Sequence, residues 1–213
     1  MKKLYHYVHC PYCIRVRMGF GLLGIPFESH VLPYNDEQTP LHLTGVKMLP
    51  IMVDEMGVAM NESLDILKRI DEKQVLRFDL IAPKADGLES FLDRVASPVH
   101  NLCMPYWVWT PEFDSESRSY FENKKSKKRG PFNLLALRKD EFLKQLPPLM
   151  EELSSHLSPY YCGSEFSIAD IMVAAHLWGL YIFPEYQFPS QIHDYLQDVK
   201  KRTHFNYHED FWR

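Results

Sequence analysis

The stretch Leu4-Tyr5-His6-Tyr7-Val8-His9-Cys10-Pro11-Tyr12-Cys13 decides how the rest of the chain is read. Leu4 to Val8 is rich in β-formers and predicts a strand. The residues after it predict a helix that opens at the cysteine pair, with Pro11 in the first turn, where its missing N–H would have been unpaired anyway. A cysteine so placed faces free backbone N–H groups and the positive end of the helix dipole, which favour thiolate over thiol. Cysteines in such Cys-x-x-Cys motifs have pKa values of roughly 3.5–7.5, against about 8.5 for the free residue. Cys13, one turn along on the same face, is within reach of a mixed disulfide formed at Cys10. The pair reads as nucleophile and resolver.

Periodicity alone does not make this helix. Ile14, Val16, Met18, Phe20 and Leu22 alternate as in a strand, and Gly19 and Gly21 each cost a helix about 1 kcal/mol relative to Ala. Val16, Phe20 and Leu23 fit a helical face equally well, so the choice of helix rests on the redox chemistry and on the family resemblance described below. Gly19-Phe20-Gly21-Leu22-Leu23-Gly24 also matches the G-x-G-x-x-G dinucleotide fingerprint. That fingerprint must follow a buried parallel strand, which here would have to bury Arg15 and Arg17, so it is set aside. Half of a zinc site is the competing reading of the cysteines. A structural zinc site usually brings a second close pair of ligands, and the sequence has none, so no metal is expected. Cys103 and Cys162 are isolated in apolar surroundings and read as buried packing.

Working outward, Phe27 to Leu32 predicts a second strand. Pro50 to Val53, a turn at Asp54 to Gly57, and Val58 to Met60 predict a hairpin. Leu64, Ile66, Leu67 and Ile70 then recur at helical spacing. From Lys73 to Asp86 the rhythm is lost and Pro83 intervenes, giving a linker over 73–86 between a first domain, 1–72, and a second, 87–213. The second domain reads as all-helical. Leu88, Phe91, Leu92, Val95, Val99 and Leu102 trace one helix, bent at Pro98. Phe142, Leu143, Leu146, Leu149, Leu153 and Leu157 trace another, kinked or restarted at Pro147-Pro148. Ile168, Ile171, Met172, Ala175 and Trp178 mark a third, and Ile192, Leu196 and Val199 a fourth.

The 213 residues carry a net charge of −4, which argues against nucleic acid or an anionic membrane as the main partner. No apolar run is long enough to span a bilayer. The start, Met1-Lys2-Lys3, lacks the apolar core of a signal peptide behind it, so a cytoplasmic protein is expected, where structural disulfides are rare.

Further residues join the cysteine pair. Leu49-Pro50-Ile51 followed by Asn61-Glu62-Ser63 at the mouth of a helix resembles the glutathione site of glutaredoxins and glutathione transferases. Ser167-Ile168-Ala169-Asp170 reads as a capping box, with Phe166 placed to staple onto Ile171, and is similar to the one in the helical domain of transferase folds. Together these resemble the large two-domain bacterial glutaredoxins of the glutaredoxin 2 type, across nearly the whole chain. The resemblance implies an α/β thioredoxin-like first domain followed by an all-α domain, the glutathione-transferase-like architecture. It implies catalysis by Cys10 and Cys13 and a cis Pro50. Glutathione would be held as cosubstrate by Tyr12, Leu49, Pro50, Glu62 and Ser63. The backbone of Leu49 would pair with glutathione's cysteinyl backbone, and Glu62 and Ser63 would hold its γ-glutamyl end.

The activity so implied is glutathione-dependent reduction of mixed disulfides and of protein disulfides, as a monomeric electron-transfer enzyme. Its partners would be glutathione and glutathionylated or disulfide-containing proteins. A glutathione transferase conjugating electrophiles is the rival enzyme, and a non-catalytic binding module on the same fold the rival outside enzymes. The basic cluster Lys124, Lys125, Lys127, Lys128 and Arg129 reads as a solvated helix end. Met104, Tyr106, Trp107 and Trp109 read first as core or interface and second as the wall of a substrate cleft. His9 is placed to add positive charge near Cys10.

Overall fold

A computed structural model of the chain describes residues 1–207. Strand β1 (Lys2–His6) leads into helix α1 (Pro11–Leu22), strand β2 (Phe27–Val31), helix α2 (Gln38–Thr44), the hairpin β3 (Ile51–Val53) and β4 (Ala59–Met60), and helix α3 (Ser63–Ile70). The sheet runs β2-β1-β3-β4, with β1 parallel to β2 and antiparallel to β3. Asp54 shapes the hairpin turn, its carboxylate accepting the N–H groups of Met56 and Val58 at 2.9 Å each. Gly57 supplies the positive φ of 83° that the turn requires.

Helix α1 explains why its sequence rhythm failed. Its residues bury nearly all the way round, Arg15 included, because α3, α9 (Ile168–Leu177) and α10 (Ser190–Thr203) pack on it. A helix enclosed on all sides has no apolar stripe to detect. The two glycines are the points of closest approach. A Cβ on Gly19 would lie 2.2 Å from Leu67 Cδ2, and one on Gly21 would lie 1.8 Å from the Thr203 carbonyl oxygen. Their role is close packing against α3 and α10.

The linker region holds two short 3-10 turns, Phe78–Leu80 and Ala82–Lys84, before the long α4 (Ala85–Trp107). Helix α4 runs through Pro98, the place of the expected bend, and Pro105 as one element. Then come α5 (Ser115–Arg129), α6 (Phe132–Leu137), α7 (Lys139–Leu143) and α8 (Leu146–His156). The expected helix over 142–157 is therefore two, and Pro147-Pro148 sits in the first turn of the second, as the restart reading requires. The Ser167–Asp170 capping box opens α9, with Asp170 Oδ2 accepting the Ser167 N–H at 2.8 Å. Asp170 Oδ1 also accepts from the Tyr161 N–H and the Tyr195 hydroxyl, which ties α9 to α10. Phe166 packs edge-on to Tyr160. The helical domain expected over 87–213 ends in six residues that lie outside the described ones.

Candidate active site

Cys10 is the N-cap of α1, in extended conformation, and is partly exposed, while Cys13 is fully buried beneath it. Both are free thiols. Two environments act on them in opposite senses. The Cys10 thiol is brought down to about 7, chiefly by hydrogen bonding to the Cys13 thiol, and further by the backbone N–H groups of Cys13 and Tyr12 and the positive charge of Lys125. Neither N–H is close and aligned enough to make a side-chain cap, yet both belong to the exposed donors of a helix start and act on an anion there. Cys13 is pushed up, by burial first and then by its hydrogen bond and repulsion with Cys10. Its sulfur also accepts the Tyr7 N–H at 3.4 Å. One negative charge is shared by the pair, and it resides on the accessible sulfur.

Cys10 opens into a cleft of about 310 Å³ between the two halves of the chain. On one side lie Tyr7, Tyr12, Tyr34, Lys47 and Leu49; on the other His100, Met104 and Trp107 from α4, and Tyr120, Phe121, Lys124 and Lys125 from α5. Met104 and Trp107 thus line the cleft, as their second reading supposes. Tyr106 turns away to pack edge-on to Phe183, and Trp109 is exposed beneath the Arg118 guanidinium. Of the basic cluster, only Lys127 and Lys128 are plainly solvated and clear of the cleft, although Lys124 is also exposed at its rim. Arg129 is partly buried and bonds Asn101 and His100.

The loop and helix after β2 are tied to α5 across this cleft. Lys47 Nζ donates to the Tyr34 carbonyl at 3.1 Å, to Glu37 at 3.0 Å and to the Tyr120 hydroxyl at 2.6 Å, and Tyr120 in turn donates to Glu37. The Ser117 hydroxyl donates to Asn35 at 2.7 Å. No local signal announces contacts between residues more than 70 positions apart, and the sequence reading misses them.

His9 lies in the cleft lining with Cys10, as its place in the sequence implies, and makes a specific contact of its own. It is buried, its ring lies beside those of Trp107, Phe113 and Trp178, and its Nε2 is 3.0 Å from the Thr110 hydroxyl. Thr110 has one hydroxyl hydrogen, which goes to the Trp107 carbonyl at 2.8 Å, so His9 Nε2 is the donor in the pair. Its role is to join the cysteine loop to the end of α4. Cys103 is buried as expected, but Cys162 is only half-buried, in a turn closed by Tyr160 and Gly163. Among the described residues no group of three or more His, Cys, Asp or Glu side chains is placed to hold a metal ion.

The residues expected to hold glutathione fall in two places. Tyr12 and Leu49 line the cleft with Cys10, and Leu49 joins a cis peptide to the buried Pro50. Glu62 and Ser63 stand at the start of α3, outside the residues that line this cleft. Glu62 is exposed and holds φ at 68°, a left-handed value that a non-glycine residue adopts at a cost. Ser63 is buried as the first residue of α3.

Comparison with known proteins now bears on this geometry. A family model described as "Glutaredoxin 2, C terminal domain" matches residues 87–211, and one described as "Glutathione S-transferase, N-terminal domain" matches residues 4–77. "Glutaredoxin 2" of Escherichia coli strain K12 is 32% identical over 208 residues, covering 96% of each chain. Among solved structures, glutaredoxin 2 of Salmonella typhimurium in complex with glutathione superposes with a TM-score of 0.86 at 30% identity, covering 97% of this chain and 96% of that one. A glutathione transferase of Phanerochaete chrysosporium shares the fold at 13% identity, with a TM-score of 0.81 over 96% of this chain and 98% of its own.

Proposed function

Because the chain belongs to the glutaredoxin 2 family of glutathione-dependent thiol–disulfide oxidoreductases, we propose that its working pair is Cys10 as nucleophile and Cys13 as resolving thiol. The observation that carries this reading is the N-terminal placement of a partly exposed Cys10 on α1 over a buried Cys13, with the two thiols shifted in opposite directions so that the accessible one ionises first. The Cys10 thiolate attacks the glutathionyl sulfur of a mixed disulfide, and the substrate's thiolate leaves. A second glutathione, as thiolate, then attacks the sulfur bound to Cys10, releasing oxidised glutathione and restoring the anion. With a protein disulfide, the bond first formed joins Cys10 to the substrate. At that point the charge on Cys10 is gone, and with it the hydrogen bond and repulsion that, after burial, raise Cys13. Cys13 gives up its proton, attacks Cys10, expels the substrate thiol and leaves a Cys10–Cys13 disulfide for glutathione to reduce.

Glutathione itself is assigned to Tyr12, Leu49, Pro50, Glu62 and Ser63. Tyr12 and Leu49 flank Cys10, and the N-terminal end of α3 at Ser63 suits a carboxylate, with the Glu62 carboxylate suited to the ammonium beside it. The proposal also takes in the division at residues 1–72, 73–86 and 87–213, action as a monomer in electron transfer, and the cytoplasm as compartment. Four free cysteines agree with a reducing compartment.

Two variants test the assignment against a small glutathionylated peptide and a protein disulfide. Cys10→Ser is expected to abolish reduction of both. Cys13→Ser is expected to keep deglutathionylation and lose protein-disulfide reduction. Retention of either activity by Cys10→Ser refutes the nucleophile, and the same test separates this reading from conjugation of an electrophile, which does not need Cys13.

A further inference from the structure

Three lysines line the cleft, Lys47 on the side of Cys10 and Lys124 and Lys125 on the facing wall, and no carboxylate is among the described residues that line it. Two of the three have acceptors. Lys47 is bound to Glu37, the Tyr34 carbonyl and the Tyr120 hydroxyl, and Lys124 is exposed and donates to Tyr120 at 3.3 Å. Lys125 differs. It is partly buried, with its ammonium 5.4 Å from the centre of the Phe121 ring, and has no ion-pair partner among the described residues. Phe121 is itself fixed between Tyr34, Phe113 and Phe132, which gives the lysine a rigid floor.

The other titratable groups around Cys10 do not compete for this role. On its own helix, Cys13 is held protonated, and Arg15, buried and 4.8 Å from the Tyr12 ring, is a second cation that interacts with Cys10, supplied by the same half of the chain rather than from across the cleft. From the first half of the chain, Tyr7 and Tyr34 are both raised by burial and stay neutral. From α4, His100 is lowered to about 3 by burial and by Arg129, and His176 of α9 is lowered to about 4, so neither carries charge at neutral pH. His9 is engaged with Thr110.

We propose that Lys125, supplied by the helical half of the molecule, is a positioning residue for disulfide exchange: its ammonium, without an ion-pair partner among the described residues, lines the same cleft as Cys10 and stabilises the anion from which attack begins. The inference rests on Cys10 being the nucleophile. No lysine or arginine precedes the motif in Tyr7-Val8-His9, and Lys125 reaches the cleft from more than 100 positions away in sequence. Its partial desolvation makes the interaction stronger than the same pair would have in water.

The test is the pH profile of Cys10 modification by neutral iodoacetamide, followed on the Cys10 peptide by mass spectrometry. Lys125→Met is expected to move the midpoint up by less than removal of the Cys13 thiol would, at most about 1 unit, which lowers the rate at neutral pH by up to about twofold once the higher nucleophilicity of a more basic thiolate is counted. Lys125→Arg, which keeps the charge, is expected to restore most of the shift, and Lys124→Met to leave the midpoint in place. Reduction of a glutathionylated peptide by Lys125→Met is expected to be slow at neutral pH and to recover in alkali, which damage to the fold would not produce. An unchanged midpoint in Lys125→Met, or an equal shift in Lys124→Met, overturns the inference while leaving the role of Cys10 intact. Loss of the low midpoint in the unmodified protein would instead strike at Cys10 itself.

Discussion

Replacing Cys13 by Ala removes the largest influence that favours the thiolate on Cys10. A hydrogen bond to a charged group is worth about 1.5–3 kcal/mol, and one pKa unit corresponds to about 1.4 kcal/mol. The Cys10 midpoint should therefore climb from about 7 by about 1–2 units. At neutral pH the thiolate fraction would fall from about one half to between one tenth and one hundredth, by the same relation. The measured rate falls less steeply, because a more basic thiolate is a better nucleophile, with a Brønsted slope of about 0.4–0.5. The expected net loss at neutral pH is about two- to sixfold, with a higher plateau in alkali. Iodoacetamide kinetics on the Cys10 peptide, taken across the full pH range, separate midpoint from plateau. Cys13→Ser keeps a donor at the same place, so its midpoint should fall between those of the parent and Cys13→Ala. If Cys13→Ala titrates where the parent does, the shared-charge account of the pair is wrong.

Two further outcomes follow from the packing. Gly21→Ala should gain about 1 kcal/mol of helix propensity and lose more to the clash with the Thr203 carbonyl, a backbone atom that cannot rotate away. A net loss of about 1–3 kcal/mol, read as a lower melting temperature at a given scan rate, is expected, and a rise would show that α10 moves freely against α1. Acid should unfold the protein early, because His6 and His176 are lowered to about 4 and His100 to about 3, burial being the largest cause for each. The unfolded chain binds these protons first, so stability is full above the ordinary histidine value of about 6.5 and falls as pH drops toward the folded values. Each histidine contributes a slope of about 1.4 kcal/mol per pH unit in that window. Urea midpoints that stay flat on going from neutral pH to about 5 would refute it.

What the sequence made legible follows from where each residue's signal lies. The cysteine pair declares itself, because strand, proline and cysteine fall in one short run whose chemistry needs a helix behind it. Helix α1 does not declare itself through periodicity, since residues from Ile14 to Phe20 bury on nearly every side. Helix α9 buries all ten of its residues and is found by its capping box as much as by its spacing. The opposite failure hides α5, which buries only Ser117 and Phe121 along fifteen residues. A run of lysines on so polar a helix looks the same whether it faces solvent or a thiolate. Lys125 is distinguished from Lys127 only by a Phe one turn before it and by which side of α5 meets the cleft.

The two halves of the chain contribute different things to one reaction centre. The first half makes a thiolate possible, through a helix start and a buried donor beneath it. The second half decides what that thiolate meets, since α4 and α5 supply the facing wall with His100, Met104, Trp107 and Lys125. The connections between them are directional rather than merely apolar. Ser117 donates to Asn35, Lys47 bridges Tyr34 and Tyr120, and His9 donates to a Thr110 hydroxyl whose own hydrogen is already committed. Hydrogen bonds of this kind fix register where a greasy interface would allow sliding. One of these bonds comes from His9, the residue next to Cys10, so the nucleophile and the wall it faces are tied by a bond adjacent to the motif itself.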